Sequence, residues 1–219
     1  RKGSQFMFSV AATPPWSLWD GKDYKNMSDQ DEAKFRMIEY HKWKFKAKIF
    51  SPLAPLTVKR TPVLMTRVEY GFLGSYNKYK KSPFETFYMG GDGMSGYSST
   101  YATETIGLRG YENGSIAGNG GYNSYGYAYS RLSMELRYPF LLEPSSTIYG
   151  LVFVEAGNAW RDLKDFNPFQ LKRSAGVGVR IFLPMIGLMG IDWAYGFDRP
   201  DGYDQRGGSN FHFIIGQEF

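Results

Sequence analysis

Few side chains in this sequence are of the kinds that form covalent catalytic sites or bind metals. The chain has no cysteine and two histidines, His41 and His212, which excludes thiol chemistry and argues against a clustered metal site. Asp192 is predicted beside His212 on a neighbouring strand, but Ser95, in Gly-Met-Ser-Gly, lacks the Gly-x-Ser-x-Gly spacing of a nucleophile turn. The sequence therefore predicts no enzyme, no metal and no cofactor.

The composition favours strands and turns. The 219 residues include 5 Trp, 17 Tyr, 17 Phe and 26 Gly, which are strand formers and turn formers. The longest apolar run, 181–191, is interrupted by Pro184, Gly187 and Gly190, so no transmembrane helix fits. A net charge of +5 could suggest a nucleic-acid partner, but its meaning depends on where the lysines face.

Alternation between residues 40 and 50 places four lysines on one face of a strand and apolar residues on the other. A solvated face of a cytosolic sandwich, or a protected edge strand, would also explain the lysines. The same alternation recurs in 131–138, 174–182 and 189–197. The lysine face comprises Lys42, Lys44, Lys46 and Lys48, and the apolar face Trp43, Phe45, Ala47 and Ile49.

Eight long strands are predicted, several of a length suited to a tilted bilayer crossing. Aromatic residues near strand ends are typical of membrane-interface girdles. The predicted strands are 5–16, 37–52, 61–77, 128–142, 146–160, 171–183, 187–198 and 209–219, and the girdle candidates are Trp16, Trp43, Tyr138, Trp160, Trp193 and Phe219. We expect Trp43, Phe45, Leu136, Val179 and Trp193 to contact lipid, and Lys44, Lys46, Glu135 and Arg180 to face a lumen.

The connections alternate between short and long, as in outer-membrane β-barrels. The longest, at about 78–127, exceeds what a compact domain leaves without a role. The sequence predicts one all-β domain over 1–219, a transmembrane antiparallel barrel with this loop outside the strands. The chain opens without an export signal, which predicts either a cytosolic protein or a fragment of a longer one.

The long loop contains Phe87-Tyr88-Met89-Gly90-Gly91 followed by Leu108-Arg109-Gly110-Tyr111. Downstream come Phe153-Val154-Glu155-Ala156-Gly157-Asn158-Ala159-Trp160 and Ser174-Ala175-Gly176-Val177-Gly178-Val179, and the chain ends at Phe219 with Gly216 three residues earlier. In this order the segments resemble the superfamily of BamA, TamA and the two-partner-secretion transporters. Their loop motif with the aromatic-Gly-Gly segment before it, their acidic-Gly-Trp strand, their Ser-Ala-Gly strand and their terminal β-signal correspond to these segments.

The resemblance implies the second half of a sixteen-stranded outer-membrane barrel, whose complete form carries periplasmic POTRA domains. The assembly-factor branch, in the form found in Bacteroidota, is the most similar, partly through residues 13–18. It implies a protein of the bacterial outer membrane that inserts barrel precursors through a lateral gate. The implied partners are unfolded precursors, outer-membrane lipid and accessory assembly lipoproteins, without nucleic acid.

Arg109 is the expected centre of the site. A long loop folded into a barrel buries its tip, and a buried arginine needs charged partners. Glu135 and Glu155 fall on the lumenal parity of adjacent predicted strands, and the resemblance assigns them as partners of the loop arginine. Glu135 could also pair locally with Arg131 or Arg137, which does not exclude the loop contact.

The terminal strand is the expected gate. Phe211, Phe213, Ile215 and Phe219 form an outward stripe, while Gly216 should loosen the pairing or permit a kink. Alternatively, Phe219 is only a girdle aromatic and Gly216 only a small residue in a crowded lumen. Two other functions stay open: a polypeptide secretion channel of the same superfamily and, less favoured, a soluble ligand-binding barrel.

Overall fold

The fold is an antiparallel sheet whose strands are the alternating segments of the sequence. The computed structural model describes residues 2–28, 31–55, 57–93, 104–116, 125–143, 145–185 and 187–216. Its strands are β1 (Gly3–Ala12), β2 (His41–Pro52), β3 (Val63–Gly74), β4 (Phe87–Met89), β5 (Glu104–Ile106), β6 (Ala128–Glu143), β7 (Ser146–Trp160), β8 (Lys172–Leu183), β9 (Gly187–Gly196) and β10 (Gly208–Ile215).

Eight of these strands form one sheet in the order β1-β2-β3-β6-β7-β8-β9-β10. Every neighbouring pair is antiparallel, and the eight strands are those predicted from the alternation, with ends shifted by a few residues. Within the described residues β1 and β10 are the two edges of this sheet. The sheet is therefore open, unlike the closed barrel of a soluble ligand-binding protein.

Proline ends the first strand earlier than predicted. β1 stops at Ala12, before Pro14 and Pro15, because proline cannot donate a ladder hydrogen bond. Trp16 lies instead in a short 3₁₀ helix, Trp16–Leu18, and is not at a strand end.

The other helices are short. A one-turn helix, Glu32–Phe35, has its first turn capped by the Asp31 carboxylate, which accepts from the Ala33 N–H. A second 3₁₀ turn covers Leu163–Asp165; across the described residues, no helix is long and apolar enough to span a membrane.

The two faces of the sheet differ in chemistry. The outer face exposes apolar side chains, including the five expected to contact lipid: Trp43, Phe45, Leu136, Val179 and Trp193. The inner face carries charged side chains that are buried beneath the long loop, among them Glu135 and Arg180. Trp160 was predicted to be an exposed girdle residue but is buried, because the Phe166 ring of the following loop packs against it at 4.7 Å.

The long loop builds a core of its own on the inner face. β4 and β5 pair in parallel within it. Apolar loop side chains pack against the sheet ends, which gives the loop a fixed position because burial of apolar surface stabilises it. The buried cluster comprises Leu73, Phe87, Met89, Ile106, Leu108, Tyr111, Ile116, Tyr129 and Ala159.

The exposed apolar face predicts a penalty for charge in lipid. Val177 lies in the middle of β8 and is 49% exposed. We expect Val177→Arg to lower the free energy of unfolding in phospholipid vesicles by about 2–4 kcal/mol, since a cation near the bilayer midplane loses its hydration. Urea titration of the full-length protein measures this. Phe169→Arg is the control, because Phe169 is 93% exposed in a loop; equal effects of the two changes would contradict the assignment of the outer face.

Candidate functional site at the loop arginine

The two loop motifs are joined to each other by backbone hydrogen bonds, and the second motif contacts the sheet. Residues 87–89 and 104–106 form the β4–β5 pair, and the Leu108 N–H donates to the Gly91 carbonyl at 3.1 Å. Leu108 is fully buried in the loop core. The next residue, Arg109, is thereby directed onto the inner face of the sheet.

Arg109 binds three carboxylates from three different strands. Its Nη2 donates to Glu135 Oε1 at 2.6 Å and to Glu155 Oε1 at 2.8 Å. Its Nη1 donates to Asp192 Oδ2 at 2.9 Å, and its backbone N–H donates to Glu155 Oε2 at 3.0 Å. The structure thus brings the loop arginine together with Glu135 and Glu155, and adds Asp192 of β9 as a further partner.

Each of these carboxylates also has an arginine from the sheet. Arg131 donates to Glu155 at 2.7 Å, Arg137 to Glu135 at 2.7 Å, and Arg180 to Asp192 at 2.6 Å. Local pairing of Glu135 with Arg137 therefore coexists with the loop contact, whereas Arg131 binds Glu155. These three sheet pairs are neutral together, and Arg109 adds a fourth cation that bridges them.

The guanidinium of Arg109 is enclosed on all sides. The side chain has no solvent exposure, and its Cζ lies 3.4 Å from the centroid of the Phe153 ring, a stacking contact that lysine reproduces poorly. Burial acts to lower the pKa of Arg109, but Glu155, Glu135 and Asp192 outweigh it and hold that pKa above its ordinary value. The arginine is permanently charged, so its docking depends on these carboxylates.

Glycines on β8 provide the space for this cluster. A Cβ at Gly178 would lie 1.7 Å from Asp192 Oδ1, and one at Gly176 would lie 2.6 Å from the Phe153 ring. Larger residues at either position would displace a side chain that contacts Arg109. The Ser-Ala-Gly-x-Gly pattern of this strand therefore has a packing reason.

Gly110 allows the loop to approach β8, β9 and β10 closely. Its φ is +86°, and a Cβ there would lie 2.9 Å from both the Gly196 nitrogen and the Ser174 Cβ. Its backbone N–H donates to His212 Nε2 at 2.9 Å. Since Nε2 accepts this bond, it carries no proton, and the loop tip is joined directly to the last strand.

Tyr111 completes the motif by binding backbone at the end of the sheet. Its hydroxyl donates to the Arg173 carbonyl at 2.7 Å and accepts from the Asp198 N–H at 3.3 Å. Burial raises the pKa of Tyr111 to about 12. The phenol is consequently protonated at physiological pH and able to donate.

A second ionic contact fixes the loop against β2. Glu104 lies 3.0 Å from Lys42, 3.0 Å from Lys44 and 3.9 Å from Lys46. Burial acts to raise the pKa of Glu104, but Lys42 and Lys44 hold it below its ordinary value. The lysine face of β2 thus binds the loop.

The terminal strand presents the stripe that its sequence suggests. Phe211, Phe213 and Ile215 are exposed, while His212 and Ile214 are buried. Strand pairing ends at Ile215, and Gly216 has φ +73° with its N–H donating to the Leu188 carbonyl at 2.7 Å. The chain therefore turns at Gly216; Phe219 lies outside the described residues.

Several residues of this site were not predicted as part of it. Asp192 and His212 were weighed only as a catalytic pair, yet they face each other in the β9–β10 register and both contact the loop. The sequence did contain one signal: alternation places Asp192 on the same inner face as Arg180 of the preceding strand. Nothing in the sequence indicated Phe153, which is apolar but lies on the inner face. In the described part of the chain, no group of three His, Cys, Asp or Glu residues has a geometry suited to a metal ion.

The fold and the docked loop can now be compared with known proteins. The Omp85 superfamily domain matches residues 33–219, and the chain belongs to this superfamily of outer-membrane β-barrel proteins. The crystal structure of BamA from Haemophilus ducreyi lacking POTRA domains 1–3 is similar, with a TM-score of 0.61 and 20% identity over 97% of this chain and 38% of that one. The chain thus spans well under half of that BamA chain; no curated protein matches it.

These comparisons confirm the predicted all-β barrel fold and superfamily. At this identity the BamA structure shows a shared fold. An open eight-stranded sheet that matches 38% of a longer barrel chain agrees with half of a barrel.

Charge balance at Arg109 predicts unequal effects of removing its partners. Arg109→Ala leaves three neutral sheet pairs, whereas Glu155→Ala leaves Arg109 and Arg131 without their shared carboxylate. We expect Glu155→Ala to cost about 3–5 kcal/mol in unfolding free energy and Arg109→Ala less. The double variant should recover part of the loss, with a coupling of about 1–3 kcal/mol. Arg109→Lys should also lower the unfolding free energy, since an ammonium group cannot reproduce the planar set of N–H donors of the guanidinium.

Denaturant unfolding of the full-length protein in detergent measures this cycle. The matched control is the exposed pair Lys81 and Asp162, whose 2.7 Å contact should show little coupling. Additive effects of Arg109→Ala and Glu155→Ala would show that the buried contact contributes nothing.

The close approach of Gly110 predicts a steric effect on docking. Gly110→Ala should expose the loop to limited proteolysis, because both the positive φ and the 2.9 Å contacts oppose a methyl group. Gly21→Ala is the control: Gly21 also has a positive φ, +63°, but a Cβ there would meet nothing within 4 Å. The loop should stay protected, and the free energy of unfolding should fall only by the backbone strain of about 1–2 kcal/mol. Equal protection of the loop in wild type and Gly110→Ala would disprove tight docking.

Proposed function

We propose that this chain is the carboxy-terminal half of the barrel of an outer-membrane assembly factor that folds and inserts β-barrel precursors through a lateral gate. In this proposal residues 1–219 form one domain, and the described part of the loop at about 78–127 packs against the inner face of the sheet. The superfamily match and the barrel-like sheet support the membrane location. The proposed partners are unfolded precursors, outer-membrane lipid and accessory lipoproteins.

The end of β10 carries the proposal. The pairing of this strand with β9 ends at Ile215, and the next residue, Gly216, has a φ of +73°. The exposed stripe of Phe211, Phe213 and Ile215 suits contact with lipid. When β10 separates from the first strand of the complete barrel, its edge offers backbone N–H and C=O groups to an incoming strand, as in recognition by β-strand addition.

The docked loop supports such a gate by bracing the strands behind it. Arg109 joins β6, β7 and β9, while Gly110 binds His212 of β10. These contacts hold β10 from its inner side. The proposed action is noncovalent: the strand edge acts as a template, and the loop cluster fixes where that edge lies.

Crosslinking tests the gate. A disulfide between Phe213→Cys and a facing cysteine on the first strand of the complete barrel should abolish insertion of precursors in proteoliposomes, and reductant should restore it. The matched control joins Phe213→Cys to Ile191→Cys, which already face each other in the β9–β10 register and should retain activity. Unchanged insertion after closure of the edge would refute the gate and favour a secretion channel of the same superfamily.

A further inference from the structure

A groove of about 590 Å³ lies on the outer face of the sheet, over β6, β7, β8 and the end of β9. Each of these strands has a neighbour on both sides, so neither edge of the sheet forms a wall of the groove. It lies toward the strand ends that the long connections join, which are the extracellular ends in an outer-membrane barrel. Its outward-facing residues are Leu132, Met134, Val154, Ala156, Arg173 and Phe197.

The groove forms where a small side chain lies between larger ones. Ala156 of β7 pairs with Leu132 of β6 on one side and with Arg173 of β8 on the other. Met134 and Val154 pair with each other in the next outward row and are exposed. Apart from Arg173 these side chains are apolar, so the groove suits a hydrocarbon chain.

Arg173 is held in place at the extracellular end of the groove. Its Nε donates to Asp198 Oδ2 at 3.0 Å, and its Nη2 donates to Asp198 Oδ1 at 2.9 Å. The same carboxylate accepts the Arg173 backbone N–H at 2.7 Å. The guanidinium is therefore positioned before a ligand arrives, which lowers the entropy lost on binding.

Asp198 uses one edge of this guanidinium, the edge formed by Nε and Nη2. Nη1 makes no hydrogen bond with any described residue, and 68% of the side chain is exposed. The edge formed by Nη1 and the second N–H of Nη2 can therefore bind two oxygens of another oxyanion.

The height of Arg173 in the membrane matches that of lipid headgroups. The rings of Tyr195 and Phe197, 5.6 Å apart, are exposed at the same strand end, and aromatic residues in this position mark the membrane–water interface. Acyl chains are as apolar as the groove, so chain contacts alone would not favour one lipid over another. Selectivity has to come from the headgroup, and phosphate is the lipid anion that matches the planar donors of arginine.

We propose that this groove binds a phosphate-bearing membrane lipid. The lipid phosphate accepts from the Nη1–Nη2 edge of Arg173, and one acyl chain lies in the groove over Ala156. The Arg173–Asp198 pair is neutral, so directed hydrogen bonds hold the phosphate more than net charge does. This inference rests on the membrane location proposed above and not on the lateral gate.

Two lipids with the same acyl chains, phosphatidic acid and diacylglycerol, test the headgroup contact. Their binding to the full-length protein is titrated by native mass spectrometry from detergent micelles. Phosphatidic acid should bind saturably and about tenfold or more tighter than diacylglycerol, because it gains charge-assisted hydrogen bonds. Arg173→Gln should remove this difference, and Arg173→Lys should keep part of it. Lys81→Gln is the control, since Lys81 lies in an exposed ion pair with Asp162 and should bind as wild type does.

Filling the groove tests the acyl-chain contact. Ala156→Phe should weaken binding of phosphatidic acid about tenfold, because the ring takes the space of the chain while Arg173 is retained. Val177→Phe is the matched control, because Val177 is exposed on the same face but does not line the groove.

Three results would overturn the proposal: equal affinity of wild type for the two lipids, wild-type affinity for phosphatidic acid in folded Arg173→Gln, or wild-type affinity in folded Ala156→Phe. Displacement of phosphatidic acid by an equal concentration of inorganic phosphate would also overturn it, since the chain would then contribute nothing. These readouts do not involve precursor insertion, so their failure is distinguishable from failure of the gate.

Discussion

A fully buried guanidinium constrains this structure more than any other group. Arg109 cannot lose its charge, and without partners its burial would be prohibitive. Carboxylates on β6, β7 and β9 supply the compensation, and each must lie on the inner face within hydrogen-bond distance of Arg109. The register of four consecutive strands, β6 to β9, is therefore coupled to the position of a loop tip that is distant in sequence.

The three carboxylates already have partners in the sheet. Each binds an arginine of the sheet, so these three ion pairs are neutral before Arg109 docks. Arg109 joins the pairs into one network in a low-dielectric setting, where satisfied polar networks specify a unique arrangement. The loop also contributes an apolar core and a contact between Glu104 and the lysines of β2, so the arginine is one of three independent constraints on its position.

The positions of the loop and of the last strand are coupled because the loop tip binds β10 directly. Gly110 binds His212 of β10 from the inner side, while Arg109 binds carboxylates of β6, β7 and β9. A displacement of β10 would therefore be felt at the loop cluster.

The sequence by itself determined the strands, their faces and the importance of Arg109. Period-two alternation is a local property, and it placed Glu135, Glu155 and Arg180 on the inner face without tertiary information. The motifs around Arg109 indicated the superfamily because their residues and their order can be read directly along the chain. Ends of strands were less accurate where proline intervened, as at Pro14 and Pro15.

Tertiary structure alone decided which inward side chains meet. Asp192 and Phe153 contact Arg109 because the register of the sheet brings their strands to the loop tip. Alternation in the sequence gives the face on which a side chain lies, but it does not give the register that decides its neighbours. Trp160 has outward parity yet is buried, since Phe166 of the next loop covers it. The contact of Glu104 with the lysines of β2 emerged in the same way, because the partners of a loop side chain are a property of the packed structure and not of its sequence neighbours.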